Sequence, residues 1–453
     1  MKKRNLFYAL TAGIALFSAC NNNSDEFTPT DDNAAQQLVL QVASSGDGLT
    51  TRAGRPLYSS EAKQTIENVK VIICNGTNVV YDTLINDWMK NSETYELNGH
   101  GRETTISLKH KKLDAATYTV YAIGYSTNTK YQANGKELAA HLKEITANTT
   151  FDANLKLTLE QTTEADKIGE EIFATSVNLT IEEGKGFNKA VVLHRQVAGT
   201  FGYFKEVPYI AGAAKLRLVA YNRNQDLVLG QFNPNIMAEN GTEKNTAMFV
   251  VNGTSPANDK VIYEINLADW YTNGAADIVD NNSDGLIDIT NWKKPDVLAK
   301  DANFENGSFF GGNFVIPFAK DAAIDSPKNT FELQLTDNGG KVLRTWIVKL
   351  PSTDKQLTQH SVWSWNTNSF TETKNNTDTQ ITYNVVRNHL YGIGKRNLDN
   401  PENPQPDPEG PGVDPNPEDK PESLNNKQEL ILQVNANWEL IHSMELIHSM
   451  ELD

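Results

Sequence analysis

The stretch with the most chemical potential is Asp280-Asn281-Asn282-Ser283-Asp284-Gly285-Leu286-Ile287-Asp288. It offers oxygen ligands at positions one, three, five and nine (Asp280, Asn282, Asp284, Asp288) and a turn glycine at six, the order of a Ca²⁺ loop. Position twelve is Asn291, where such a loop carries a bidentate Glu, so a plain Asn/Asp/Gly turn competes with calcium. Two other residues are candidates to be acted upon. Cys20 carries a thiol that can be acylated, and Arg52 precedes Ala53 in a small, polar stretch of the kind that enters protease clefts. No Gly-x-Ser-x-Gly, His-Glu-x-x-His, Cys-x-x-Cys or phosphate loop occurs, and the eight histidines form no evident ligand set. An enzyme is not expected, nor a cofactor apart from that one Ca²⁺ candidate.

The elements around these residues decide what they are for. Lys2, Lys3 and Arg4 precede an apolar run from Leu6 to Ala19, too short for a stable membrane-spanning helix and shaped like a secretory signal over residues 1–19. Its exit, Leu16-Phe17-Ser18-Ala19-Cys20, resembles a bacterial lipobox, with Phe17 where Leu is usual. Lipid on Cys20 would anchor the chain to a membrane; an ordinary signal with an incidental cysteine is the plainer alternative. Residues 20–52 then read as a propeptide. Asn21–Gln36 is a polar, acidic tether, and Leu38–Val42 is a strand. The Arg55–Pro56 bond is a poor protease substrate, whereas a cut between Arg52 and Ala53 would detach lipid, tether and strand together. An uncut loop arginine is the other possibility.

The rest of the chain is β-rich by composition. It has 453 residues and a formal charge of −16, from 41 Lys and Arg against 57 Asp and Glu. That balance disfavours nucleic acid as a partner, since phosphate binding needs clustered cations. Two cysteines exclude a disulfide framework, and Cys74, inside Val69–Cys74, reads as a small core hydrophobe. A first β-sandwich domain is expected over 53–175, with strands at Val69–Cys74, Asn78–Thr83, Thr104–Leu108, Tyr118–Tyr125 and Asn154–Leu159. Gly135–Thr146 places Leu138, Leu142 and Ile145 on one helical face, and Asp166–Ile172 is a second candidate helical turn. A second domain is expected over 176–396, with Lys189–Gly199 as one long strand segment and hairpin loops at Asn222–Gln225 and Asp337–Gly340. Residues 397–427 are rich in proline and acid, an extended spacer expected to hold the final segment, 428–453, away from its own body. That segment ends in a tandem repeat, Glu439–Met444 copied as Glu445–Met450.

The final segment echoes the first strand. Gln37-Leu38-Val39-Leu40-Gln41-Val42 and Glu429-Leu430-Ile431-Leu432-Gln433-Val434 put the same apolar row on one strand face: Leu38, Leu40, Val42 in one and Leu430, Leu432, Val434 in the other. Either segment would fill the same groove. Three such anchors are worth about 5–9 kcal/mol before ordering costs. Six-residue windows in β proteins also coincide by chance.

Taken in order, the lipobox at Cys20, the strand Leu38–Val42 with Arg52 after it, Leu193–Ala198, Val386–Tyr391, the proline run and the closing strand resemble a Bacteroidetes type V pilus fimbrillin. The resemblance implies two transthyretin-like β-sandwich domains with a few short helices. It also implies export as an outer-membrane lipoprotein, removal of the first strand by an Arg-specific protease, and assembly by strand exchange. Its partners would be other copies of the chain and tip and anchor subunits, and its place an extracellular fimbria. A tip or anchor subunit is one alternative. Another is a monomeric surface lipoprotein that binds glycan or host protein through Trp270, Tyr271, Trp292, Trp363 and Trp365.

Overall fold

The computed structural model describes residues 37–43, 66–94, 101–108, 113–159, 170–181, 187, 190–220, 223–229, 251–256, 260–298, 304–318, 331–349, 359–364, 369–375, 385, 387, 390–394, 420–425, 429–431 and 433–435. Cys20, Arg52, Ala53, Leu432, Trp365 and most of the proline run lie outside them, as does most of the second candidate helical turn.

The chain opens with β1 (Gln37–Ala43), β2 (Asn68–Asn75) and β3 (Asn78–Ile85). A one-turn helix, α1 (Trp88–Asn91), leads to β4 (Glu93–Thr94), β5 (Gly101–Ser107) and β6 (Ala116–Tyr125). Next come β7 (Tyr131–Ala133), β8 (Lys136–Glu137), the helix α2 (Leu138–Glu144) and β9 (Lys156–Leu159). Then follow β10 (Phe173–Ile181), β11 (Val191–Arg195), β12 (Ala198–Lys205), β13 (Lys215–Ala220) and β14 (Asn224–Val228). After β15 (Gly253–Pro256) and β16 (Val261–Asn266) come three 3₁₀ turns and β17 (Ser308–Val315), β18 (Phe331–Thr336) and β19 (Val342–Lys349). The last are β20 (Gln359–Ser364), β21 (Ser369–Asn375), β22 (Leu390–Ile393), β23 (Glu422–Ser423), β24 (Glu429–Ile431) and β25 (Gln433–Asn435).

These strands form an all-β, sandwich-like fold. The largest sheet runs β3-β2-β6-β10-β11-β1-β5-β4. Three five-stranded sheets accompany it: β15-β14-β9-β7-β8, β16-β13-β18-β19-β24, and β17-β12-β22-β25 with β23 beside β12. The large sheet is buried on both faces near β2 and β6, which explains the unbroken apolar run at Val71–Cys74. Val69, Val71 and Ile73 enter one core with Val120, whereas Ile72 and Cys74 enter the other with Tyr121 and Ile123. The second core continues through Leu138 and Leu142 of α2 into the remaining sheets, as far as Trp346 and Leu430.

Burial raises the Cys74 thiol to about 11, so it is protonated at neutral pH. We expect it to resist thiol reagents in the native chain and react on unfolding. Between about pH 9 and 11 the unfolded thiol ionises while the folded one does not. Stability should therefore fall as pH rises through that window, and thiol-labelling rates against pH would show it. Labelling at the rate of a free thiol under native conditions would contradict this.

Three expectations change. The segment read as one strand at Lys189–Gly199 is broken at Gln196-Val197, because the chain there leaves the large sheet (β11) for another (β12). Asn222–Gln225 does not make a hairpin: β13 pairs with β16 and β18, while β14 pairs with β9 and β15. A polar turn fixes that the chain bends, not which strand it meets next. The position expected to separate two domains, Thr175, falls inside β10, which pairs with β6 along its whole length. Asp337–Gly340 does join the paired β18 and β19, with Gly340 at φ +86° and the Asp337 carboxylate accepting from Lys341 N–H at 2.8 Å.

Candidate functional site

The first strand lies inside the large sheet rather than at its edge. β1 pairs antiparallel with β5 over seven residues, from Gln37 opposite Ser107 to Ala43 opposite Gly101. On its other side it pairs parallel with β11, Leu40 with Val191 and Val42 with Leu193. Alternation sends Leu38 and Leu40 to one face, both fully buried beside Ile106, Val191 and Leu193. Val42 occupies the next position of that row in the register. On the opposite face Val39 is half-buried, and Gln41 is only 5% exposed. The Gln41 amide donates to Glu103 on β5, Nε2 to Oε2 at 3.0 Å.

Two buried leucines are worth about 3–6 kcal/mol at 1.5–3 each. β1 also supplies hydrogen-bond partners on two sides, so its loss would leave the facing edges of β5 and β11 unpaired. Sequence periodicity could find the apolar row. It could not find Gln41 and Glu103, because their pairing depends on a register set 62 residues away.

The closing segment sits on its own chain. β24 pairs parallel with β19, Val348 with Leu430, and Leu430 is 1% exposed in the core. β25 pairs antiparallel with β22, Tyr391 with Val434. β23 adds to β12, and Leu424 beside it is fully buried. The expectation that a proline spacer keeps this segment off its own body is thus corrected. The chain leaves at Gly394 and returns close by: a Cβ on Gly394 would sit 3.1 Å from the Glu422 nitrogen and 3.2 Å from the Lys420 oxygen. Proline content sets the stiffness of a spacer but not where its far end lands, and free strand edges on β19 and β22 are available to it.

Arg387, from the second of the two separated motifs, meets the motif Leu193–Ala198 at a buried polar junction. Arg195 pairs with Glu171 at 2.6 Å, with 2% and 1% of their side chains exposed. The Arg195 guanidinium also lies 4.9 Å from the ring centre of Phe173. Gln196 donates to the carbonyls of His194 (2.8 Å) and Ala174 (3.0 Å), and its own side-chain oxygen accepts from Arg387 at 3.3 Å. Asn252 donates to the carbonyls of Gln196 (3.1 Å) and Val228 (3.0 Å). The junction joins the end of β11, which flanks β1, to the approach to β22, which carries β25.

The acidic loop is a self-capped turn. Asp280 accepts from the N–H groups of Asp284 (3.1 Å) and Gly285 (3.0 Å), and Asn282 accepts from Asp284 at 3.0 Å. Asp284 accepts from Leu286 at 2.8 Å, and Asp288 from Asn281 at 3.0 Å. Gly285, at φ +84°, makes the turn. Among the described residues no group of three or more His, Cys, Asp or Glu is placed to hold a metal ion. Of the aromatics considered for a binding face, Trp270 and Tyr271 are core, at 5% and 1% exposure, and Trp292 is half-buried against Trp270. Trp363 lies on β20.

No family model and no curated protein matches the chain. Similar solved structures include fimbrial and putative adhesin proteins. They include the tip fimbrial protein Mfa3 from Porphyromonas gingivalis, at 9% identity over 80% of this chain and 94% of that one, with a TM-score of 0.35. A fimbrilin (fimA) from Porphyromonas gingivalis is 13% identical over 89% of this chain and 98% of that one, TM-score 0.32. A fimbrial assembly protein from Parabacteroides distasonis is 12% identical over 80% and 90%, TM-score 0.33. At these values the likeness assigns no activity, and the functional reading rests on the groove itself.

Proposed function

We propose that the chain is a non-enzymatic, structural pilin subunit of a cell-surface fimbria that polymerises by protease-triggered donor-strand exchange. The observation that carries this is β1: two fully buried leucines gripped from both sides, on a segment whose apolar row recurs at the chain's other end. In this reading the chain is exported as a lipoprotein through Cys20 and anchored in the outer membrane. An Arg-specific protease cuts after Arg52, β1 leaves with the released piece, and the groove between β5 and β11 stands open. The tail of another copy, carrying Leu430, Leu432 and Val434, fills it. Such a contact is heterologous and generates an open filament, capped by tip and anchor subunits and serving adhesion and biofilm formation. Because the tail of the intact chain is docked on its own β19 and β22, it must first leave them. The resting chain is thereby guarded at both ends.

Treating the purified chain with an Arg-specific protease and separating the products by size tests this. Ladders of multimers are expected, and Leu432→Asp should abolish them by placing a carboxylate in the apolar row. A shortened monomer with no ladder would instead fit a monomeric surface binder.

A further inference from the structure

An apolar row cannot by itself fix where an incoming tail stops. A slip of one residue turns every leucine outward and is excluded by the pattern. A slip of two is not. Moved two positions toward Ser107, the tail would set Leu432, Val434 and Ala436 in the places of Leu38, Leu40 and Val42. All three are apolar, though one methylene short at Leu40's place and two at Val42's, so the core side disfavours this slip without forbidding it.

The opposite face adds a requirement that only one register meets in full. Gln41, 5% exposed, donates its amide to the half-buried Glu103 directly across from it. The tail carries glutamine at the same place in its echo: Gln433 follows Leu432 as Gln41 follows Leu40. We propose that Glu103 is the register-determining residue of the groove, and that its partner is the Gln433 amide of a second copy's tail. This rests on the strand-exchange reading above. In register, Gln433 stands opposite Glu103, Ile431 opposite Thr105 and Asn435 opposite Gly101. Slipped by two toward Ser107, Gln433 faces Thr105, and Glu103 meets the shorter Asn435. Slipped the other way, Glu103 faces Ile431, which has no donor, and Gln428 enters the apolar row. A single half-buried polar pair thus sharpens the preference that hydrophobic burial gives, much as one buried Asn sets the register of a coiled coil.

Cysteine cross-linking in ladders of the full chain cut after Arg52 tests it. Ile431→Cys is paired with Thr105→Cys to report the register proposed, and with Ser107→Cys to report the slip; Thr105 and Ser107 are both exposed, and Cys74 is buried. With Gln433 present, the cross-link at 105 should dominate. Gln433→Leu should still give ladders, with the share of cross-links at 107 about tenfold higher than in the unsubstituted chain. Their dissociation into monomers should be about tenfold faster, from the loss of one hydrogen bond to a charged group. Glu103→Gln, which can still accept from an amide, should keep the cross-link at 105. Ladders of Gln433→Leu with an unchanged share of cross-links at 107 and an unchanged lifetime would overturn this inference while leaving strand exchange standing. Failure of the unsubstituted chain to form ladders would overturn both.

Discussion

Leu40→Asp should destabilise the uncut chain by about 3–5 kcal/mol, the range of the most damaging core substitutions. Leu40 is fully buried among Val191, Leu193 and Ile106, with β5 on one side and β11 on the other. A carboxylate there loses the leucine's contacts and must either stay charged away from water or take up a proton. Urea denaturation would measure the change, and a loss under about 1 kcal/mol would mean that β1 is peripheral to stability. The substitution has a second consequence that ordinary core damage does not share. Once the chain is cut after Arg52 and β1 has left, residue 40 is no longer part of the molecule. Leu40→Asp should therefore speed the release of β1, while the cut and refilled form should be as stable as the unsubstituted one. A cut form that stays destabilised would show that the released piece remains bound.

Arg195→Leu is the second large effect, again about 3–5 kcal/mol. Its guanidinium and the Glu171 carboxylate are almost fully removed from water at 2.6 Å, so deleting one partner leaves a buried charge without its counter-ion. Thermal or urea unfolding would read the loss. The double replacement, Arg195→Leu with Glu171→Leu, should recover most of it, because an apolar pair of similar volume needs no desolvated charges. If the double variant is as damaged as the single, the role of Arg195 lies in its other contacts, including the face of Phe173.

Much of this was legible in the sequence, and the limits are instructive. Strand existence was readable wherever apolar residues run without interruption or alternate, as in Val71–Cys74 and Leu38–Val42, because burial on two faces or one leaves that signature. The helix at Leu138–Glu144 was readable from Leu138 and Leu142, both buried. Neighbours were not readable. Nothing near Leu40 announces Val191 as its parallel partner, and nothing near Asn222 announces that β13 and β14 belong to different sheets. The aromatic pair Trp270-Tyr271 could have been surface or core, since side-chain chemistry is the same in both, and packing against Phe304 and Phe309 decides for core. Gln196 was the least visible: after His194 and Arg195 it reads as one more polar position, whereas here it is buried and held by carbonyls at the crossing between two sheets. The tail's chemistry was readable and its resting place was not, because composition describes a spacer without giving its endpoint.

The position of β1 between two partners also bears on mechanical strength. A strand peeled from a sheet's edge gives up its bonds one after another, like a zipper. A strand flanked on both sides and pulled along its own axis loads both ladders at once, in shear, so no bond can fail far ahead of the rest. A filament whose joints repeat this arrangement would carry tension along its length at each junction, and would yield more readily to sideways prying than to a straight pull.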